Sequence, residues 1–410
     1  MTATLSATLA GPLQGVRVLD LTRVLSGPFC TMIFADLGAD VIKIEDCEGG
    51  DQTRSHYPFI DDLSHYFLAV NRNKRSVAVN LKHAAGRDLI LRLAAQVDVL
   101  IENFRPGVMA SLGLSIDELR QANSRLIVCS ISGYGQTGSL RTAPAFDIIT
   151  QALSGVMSIN GEEGGGPLRL GIPLGDIGGG LWAAIGVLSA LQHRHRTGEA
   201  LHVDLSLLEA LMAQLGYLSQ LYFVTGASPG SAGNRHHTVS PYGCYEASDG
   251  SIVIAVLNQR FFESFCRTSG RLDLLGDARF CTPEQRSANR AELDAIVCEI
   301  IKGRARDEWV RAFEAADVPC AAVKSVGEAL EQPIVRERGF IRTVDHPTAG
   351  PLPVVGNPLR FEGRFESERF ERPPQQGEHT AQVLREAGLD DDEIGRLERS
   401  GTIRRWTTAA

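Results

Sequence analysis

The stretch that most restricts the fold lies near the start of the chain. Gly15-Val-Arg-Val-Leu-Asp-Leu reads as a short buried strand, Arg23 to Ala39 as a loop and a helix opened by Gly27-Pro28, and Asp40-Val-Ile-Lys-Ile-Glu45 as a second strand. Strand, helix and strand within about thirty residues form a βαβ unit, which implies a parallel sheet with helices on its faces. The glycine fingerprint GxGxxG is missing from the first turn, and no ribose-binding acid follows. Both absences count against a nicotinamide dehydrogenase.

The alternation continues. Strands are expected at Ser76–Asn80, Asp98–Asn103, Leu126–Ser132 and Ala200–Leu207, and helices at Ala84–Ala95, Ser115–Ala122 and near Phe146–Ser154. Ser115 with Glu118 three residues on is a capping-box signature. Residues 1–215 therefore read as a doubly wound, Rossmann-like α/β domain. The pattern then changes. Ser248-Asp-Gly250 between two apolar runs signals a hairpin, and helices are expected at Gln259–Ser269, Asn289–Gly303 and Ala305–Ala316. Residues 220–330 read as a smaller α+β domain, and 335–410 as a C-terminal segment returning to the large one, with a Pro-rich linker near Pro373 and a closing helix His379–Ala387.

Composition limits the partners. With 43% hydrophobic and 22% charged residues the 410-residue chain reads as an ordinary globular protein. A formal charge of −8 argues against general nucleic-acid binding and still permits a local basic pocket for a polyanion. The eight cysteines include no CxxC pair and no metal-ligand spacing, so no metal is expected and a reducing, cytoplasmic location is. Residues 1–11 lack the features of a signal peptide, and no apolar run of membrane-spanning length is free of charges or glycine clusters, so no membrane association is expected.

The segment Gly171–Leu191, GIPLGDIGGGLWAAIGVLSAL, concentrates the chemistry. Its single acid, Asp176, precedes Gly178, Gly179 and Gly180 and a largely buried helix expected from Leu181. A helix start favours an ionised carboxylate, and three glycines leave room for a close approach. The simpler alternative is an N-cap aspartate.

Seven segments in this order carry a resemblance: Val18-Leu-Asp-Leu-Thr-Arg-Val-Leu-Ser-Gly-Pro28, Leu37-Gly-Ala-Asp-Val-Ile-Lys-Ile-Glu45, Gly50-Asp51 with Thr53-Arg54, Asn71-Arg-Asn-Lys-Arg-Ser76, Glu102-Asn-Phe-Arg-Pro-Gly107, Ser132-Gly-Tyr-Gly-Gln-Thr-Gly138 and Gly175-Asp176. Together they resemble the class III CoA-transferases (CaiB/BaiF type). This is the family of formyl-CoA transferase, crotonobetainyl-CoA:carnitine CoA-transferase and succinate–hydroxymethylglutarate CoA-transferase. The resemblance implies an aspartate nucleophile at Asp176, an interlocked homodimer, no resident metal or redox cofactor, and coenzyme A thioester as a substrate. It places Val24, Leu25 and Ser26 against the nucleotide and Lys74 and Arg75 at the CoA phosphates or adenine. Asn103 and Phe104 would contact CoA, and Tyr134 the pantetheine arm.

Two arginines of formyl-CoA transferase are replaced by Asp46 and Ser111, for which Lys43, Arg72 or Arg105 could compensate. Its glycine-rich small-domain loop is absent; Val256-Leu-Asn-Gln-Arg-Phe261 stands there. Phe146 occupies the place of the histidine base of α-methylacyl-CoA racemases, so that reading loses its base. The run is most similar to dicarboxylate-using members, which transfer CoA from succinyl-CoA. A distal carboxylate needs a cation, for which Arg23, Arg54, Arg169, Arg235, His236 and His237 are candidates, with His56 where formyl-CoA transferase has a tryptophan. A formyl-CoA:oxalate or carnitine type of transferase is the alternative, and a non-catalytic CoA-binding protein the different class.

Overall fold

The computed structural model describes residues 11–61, 63–347, 349–361 and 370–407. Residues 1–10, on which the reading of the N-terminus rests, lie outside it. The chain forms two compact units, one of residues 1–156, 169–225 and 335–410, the other of 157–168 and 226–334. The short stretch 157–168, read above with the large domain, belongs to the second unit.

The first unit is built on a seven-stranded sheet. Its strands are β1 (Arg17–Asp20), β2 (Asp40–Glu45), β5 (Arg75–Val79), β6 (Val99–Glu102), β7 (Ile127–Ser132), β8 (His202–Ser206) and β14 (Ile403–Arg404), with a two-residue hairpin β3 (Phe59–Ile60) and β4 (Leu63–Ser64) outside the sheet. The order is β14-β5-β2-β1-β6-β7-β8. All pairs are parallel except β14, which closes the β5 edge antiparallel through Ile403 opposite Val79. Central strands are buried on both faces, as near-continuous apolar runs require. Leu19, Ile42, Leu100 and Val128 pack into one core layer, and Val18, Val41, Val99 and Cys129 into the layer on the opposite face. Strand order reverses at β1, whose neighbours are β2 and β6. The segments following β1 and β6 therefore emerge side by side at the carboxyl end of the sheet, where doubly wound folds bind ligands.

The long helix runs Leu174–Thr197 and ends on Gly198 in the left-handed conformation (φ 82°). It begins seven residues earlier than the apolar run suggested, so Asp176 lies inside its first turn. By length and hydropathy it is the one helix among the described residues that could cross a membrane, with 44% of its most apolar window buried. In this fold it is a core helix: Ala183, Ala184, Val187 and Ala190 join the layer containing Cys30, Phe34 and Cys129. Its glycines serve that packing. A Cβ on Gly179 would stand 2.3 Å from Leu207 Cδ2, and one on Gly180 would stand 2.6 Å from the Ser26 carbonyl oxygen. One on Gly178 would meet the Gln214 amide at 2.2 Å. The expectation that these glycines open space beside Asp176 is therefore corrected: protein atoms already fill it, and the glycines let Ser26–Asp36 and Leu207–Gln214 approach the helix.

Beneath the carboxyl ends of β1 and β2 lies a buried charge cluster. Lys43 Nζ pairs with Asp51 Oδ2 at 2.9 Å, Lys74 Nζ with Asp20 Oδ2 at 3.2 Å, and Arg54 Nε with Glu45 Oε2 at 2.7 Å. Arg72 and Asn73 bind Asp36 alongside. Burial pushes the Asp51 carboxyl up, but Lys43 and the Thr53 hydrogen bonds overcome this and hold it down at about 2. Burial and the neighbouring Lys43 bring Lys74 down to about 8 despite Asp20.

The second unit has a three-stranded antiparallel sheet, β9 (Tyr242–Glu246), β10 (Ser251–Ala255) and β11 (Cys320–Ala322), in the order β11-β10-β9. Helices Gln259–Ser269, Arg290–Lys302 and Arg306–Ala315 cover it, with Phe313 stacked between Trp309 and Phe265 at 5.0 and 5.6 Å. The strands β12 (Ile341–His346) and β13 (Gly350–Val355) pair as a hairpin in the first unit.

Gly180→Ala tests the glycine contact. Helix propensity alone would gain about 1 kcal/mol. Because the clash is with backbone, urea unfolding is expected to show a loss of ~1–3 kcal/mol instead; a gain in stability would refute the packing role.

Candidate active site

Asp176 is the third residue of a helix whose N-cap position is held by Pro173, which supplies no side-chain cap. The cap comes from elsewhere. Asp147, in the first turn of Asp147–Leu153, accepts the N–H of Gly175 at 2.7 Å and that of Asp176 at 3.3 Å through one oxygen. Its other oxygen accepts Gln151 Nε2 at 2.6 Å, and Gln151 Oε1 accepts the Leu170 N–H at 2.9 Å. Asp147 thus does the work that the N-cap reading assigned to Asp176. Among the described residues the Asp176 carboxylate takes no hydrogen bond, so it is left available for chemistry. Asp147 went unnoticed in the sequence because its partners lie 28 and 29 residues away.

Burial, and then the charge of Asp147, push the Asp176 carboxyl up to about 7. The helix start was expected to favour ionisation; with Asp147 already seated on its N–H groups, that benefit goes to Asp147. A raised pKa makes the ionised form more basic, as a carboxylate nucleophile requires, while leaving a fraction protonated at neutral pH. Tyr66 shares this field: burial, Asp176, Asp51 and Asp147 hold its phenol up at about 12, so it remains a hydrogen-bond donor. His56 meets the Tyr66 ring edge-on at 5.4 Å, and its Nδ1 lies 2.9 Å from the Gln52 carbonyl.

At the sheet's carboxyl end, Val24 and Arg23 are half-buried, and Leu25 and Ser26 are buried where the helix Ser26–Asp36 begins. Asn103 uses both side-chain atoms on Arg23, accepting its N–H and donating to its carbonyl, each at 2.8 Å. It is a strut between the two loops, its amide already occupied. Arg23 lies over the Phe104 ring at 5.0 Å, with no carboxylate partner among the described residues. Tyr134 sits on the loop after β7, its hydroxyl 3.5 Å from the Pro144 carbonyl. Beside it a cavity of about 250 Å³ is lined by Glu102, Arg105, Met109, Leu114, Ser130 and Gln136 among others. Burial pushes the Glu102 carboxyl up to about 7 against its bonds from Ser130 and the Phe104 N–H. Arg105 is exposed at this cavity, unpaired among the described residues.

Other expected cations are occupied. Lys74, expected at the CoA phosphates, is 2% exposed and bonded to Asp20, Asn71 and the Pro28 carbonyl. Arg75 is shared between Asp40 and Glu386. Lys74 is thus enclosed by its partners, while Arg75 is engaged by two acids and remains partly exposed. Lys43 and Arg72, considered as replacements for the arginines lost at Asp46 and Ser111, are likewise buried and paired. Asp46 instead accepts the Glu48 N–H, and Ser111 bonds the Val108 carbonyl. Arg54 holds Glu45 through two nitrogens and the Pro374 carbonyl. In the second unit Arg235 pairs with Asp294 at 2.9 Å and lies over the Tyr245 ring. His236 Nδ1 accepts the N–H groups of Thr238 and Val239, and burial, His237 and Arg290 lower its pKa. Arg169 is exposed, next to the Leu170 that Gln151 ties to Asp147.

A doubly wound domain with a strand-end cavity, free cations beside it and an unpaired, elevated aspartate at a helix start has the form of a group-transfer enzyme. The family described as CoA-transferase family III matches residues 13–380, and the chain belongs to it. It is 36% identical to succinyl-CoA:glutarate CoA-transferase of Homo sapiens over 96% of this chain and 90% of the relative. It is 38% identical to acetyl-CoA:oxalate CoA-transferase of Acetobacter aceti over 94% and 98%. A CaiB/BaiF family protein from Brucella suis has a solved structure that superposes with a TM-score of 0.82 at 34% identity, covering 92% and 100%.

The elevated Asp176 carboxyl has a consequence for stability. Below the unfolded-state pKa near 4 it is neutral folded and unfolded; as pH rises towards 7 the unfolded state ionises first and the fold loses stability, with no further change above. Asp176→Asn should therefore raise the melting temperature at pH 8 and lose that gain towards pH 4. An equal effect at both pH values would rule out the elevated carboxyl.

Proposed function

We propose that this class III CoA-transferase moves CoA from succinyl-CoA to a dicarboxylate through Asp176. The carboxylate attacks the thioester carbonyl, forming an aspartyl mixed anhydride and releasing CoA thiolate. The thiolate attacks the aspartyl carbonyl, giving an aspartyl-CoA thioester and the free donor acid. The acceptor carboxylate then attacks that thioester, and returning thiolate converts the second anhydride to product and frees Asp176. The observation that carries this reading is the carboxylate of Asp176, relieved of the cap by Asp147. Tyr66, kept protonated and within the field of Asp176, would be the donor to an oxyanion formed there.

CoA enters as a substrate, its nucleotide end along the strand-end cavity, with Arg105 and Arg23 as the unpaired cations for its phosphates. With Arg23 given to the phosphates, Arg169 is the expected arginine left without an acidic partner among the described residues for a distal carboxylate. Glutarate- and oxalate-using relatives support a dicarboxylate without choosing one. We further read the protein as a cytoplasmic homodimer. Eight free thiols support the compartment. Large apolar side chains left exposed on the first unit, including Phe146 (72% exposed), Trp182 (43%), Ile185 (52%) and Phe223 (71%), support a second copy.

The test is CoA transfer from succinyl-CoA to a panel of carboxylates, with acyl-CoA products read by mass spectrometry. Transfer to a dicarboxylate is expected, abolished in Asp176→Ala together with a CoA-sized adduct on the protein. Full activity in that variant would sink the nucleophile, and transfer only to monocarboxylic acids would sink the substrate class. The pH profile of kcat/KM should rise through about pH 7 with ionisation of Asp176. Asp147→Asn keeps an oxygen for the cap and removes the charge, so it should displace the rise to lower pH.

A further inference from the structure

Six acids are buried among the described residues: Asp20, Asp36, Glu45, Asp51, Glu102 and Asp294. Five of them face a cation, Asp20 with Lys74, Asp36 with Arg72, Glu45 with Arg54, Asp51 with Lys43 and Asp294 with Arg235. Glu102, 4% exposed, has no ion-pair partner among the described residues. A carboxylate taken out of water without a cation is costly, so its charge is easily given up.

The surroundings of Glu102 hold its two forms close to balance. It ends β6 opposite Ser130 of β7, which in turn lies opposite Asp204 of β8. The Phe104 N–H, at 2.8 Å, and the Ser130 hydroxyl favour the anion. Burial and the charge of the exposed Asp204 favour the neutral acid and prevail, which places the carboxyl at about 7. The Ser130 hydroxyl also meets His202 Nε2 at 3.1 Å; burial lowers the pKa of that histidine, against Asp204 and together with Arg120. Cys129, on the opposite face of β7, is pushed up by burial, Glu102 and Asp204 and stays a thiol.

The same acid lines the cavity of about 250 Å³, in which Arg105 is the one cation and Asp117 the other acid. Both Arg105 and Asp117 are exposed, so Glu102 is the one buried charge on the wall. Gln136 lines it too, with a buried Nε2 that has no partner among the described residues, while Asp204 fixes its backbone by accepting the N–H at 3.0 and 3.1 Å. An anion drawn to Arg105 enters a space that Glu102 also faces. The two negative charges oppose each other, and the buried one can discharge by taking a proton.

We propose that Glu102 couples occupancy of this cavity to protonation, carrying a charge in the free protein above neutral pH and taking up a proton when a polyanion binds beside Arg105. This rests on the reading of the cavity as the seat of the nucleotide end of CoA, and adds to it that acyl-CoA affinity falls as pH rises. Glu102 takes no part in the chemical step.

The test is calorimetric titration of CoA at pH 7 in two buffers of different ionisation enthalpy, which reads the protons exchanged. It is made on Asp176→Asn, which removes the other carboxyl standing at about 7, and on the same protein carrying Glu102→Gln. Protons exchanged by CoA itself are common to both. The first protein is expected to take up about half a proton more than the second, and between pH 6 and 8 its affinity should fall at least fivefold more. Equal proton exchange, or equal dependence on pH, overturns the proposal. Ser130→Ala, again with Asp176→Asn, keeps the acid and removes a hydroxyl that favours its anion, so the fall in affinity should move to higher pH. A fall that stays in place overturns the proposal too, and this variant decides if Glu102→Gln does not fold. Failure of CoA to bind the wild-type protein fails the CoA reading itself, whereas binding without the proton difference fails only the linkage.

Discussion

The first unit depends on charges taken out of water together. Asp20, Lys43, Glu45, Asp51, Arg54 and Lys74 lie at or beneath the carboxyl ends of β1 and β2, and each finds an opposite charge within 3.2 Å. Such a cluster adds little net stability relative to an apolar core, but loss of any one partner strands another ion at large cost. Its value here is geometric. Apolar contacts tolerate sliding, whereas a carboxylate that must satisfy a lysine, a threonine and a backbone N–H at once has a single acceptable place. The βαβ unit supplies the scaffold, and the buried ions fix the first loop on it.

A second substitution of roles occurs at the long helix. Helix N-termini reward an acid, and Asp147 takes that reward from a different element, through the N–H groups of Gly175 and Asp176. Asp176 therefore gains little from the helix and experiences burial and a neighbouring negative charge instead. The fold bears that cost, and what it obtains is a basic, unpaired carboxylate on a rigid helix. The same helix needs glycine where it crosses Ser26–Asp36, because the Ser26 carbonyl leaves no room for a Cβ at Gly180. The long helix and the first loop are thereby locked to each other: the residue that opens Ser26–Asp36 is the one Gly180 admits.

Much of this was legible in the sequence where the governing interactions are local. The capping box of Ser115 and Glu118 forms as its spacing predicts, and the helix Gln259–Ser269 has the bounds expected of it. Ordered motifs also carried the family, now supported over residues 13–380. What sequence could not show is which polar residues are already engaged. Asp147 caps a helix 28 residues on, Asn103 braces a loop 80 residues back, and the three glycines are occupied by Gln214, Leu207 and Ser26. Each depends on tertiary contact, and pattern within one element holds no trace of it.

The basic residues make the same point by elimination. A run such as Asn71-Arg-Asn-Lys-Arg75 invites a phosphate, yet Arg72, Lys74 and Arg75 are each held by acids of β1, β2 or their connecting helix. Electrostatic attraction for a polyanion depends on charge that is uncompensated, rather than on charge that is present. In the first unit, Arg23 on the face of Phe104 and Arg105 at the cavity meet that condition, and both belong to the loops that emerge at the switch point.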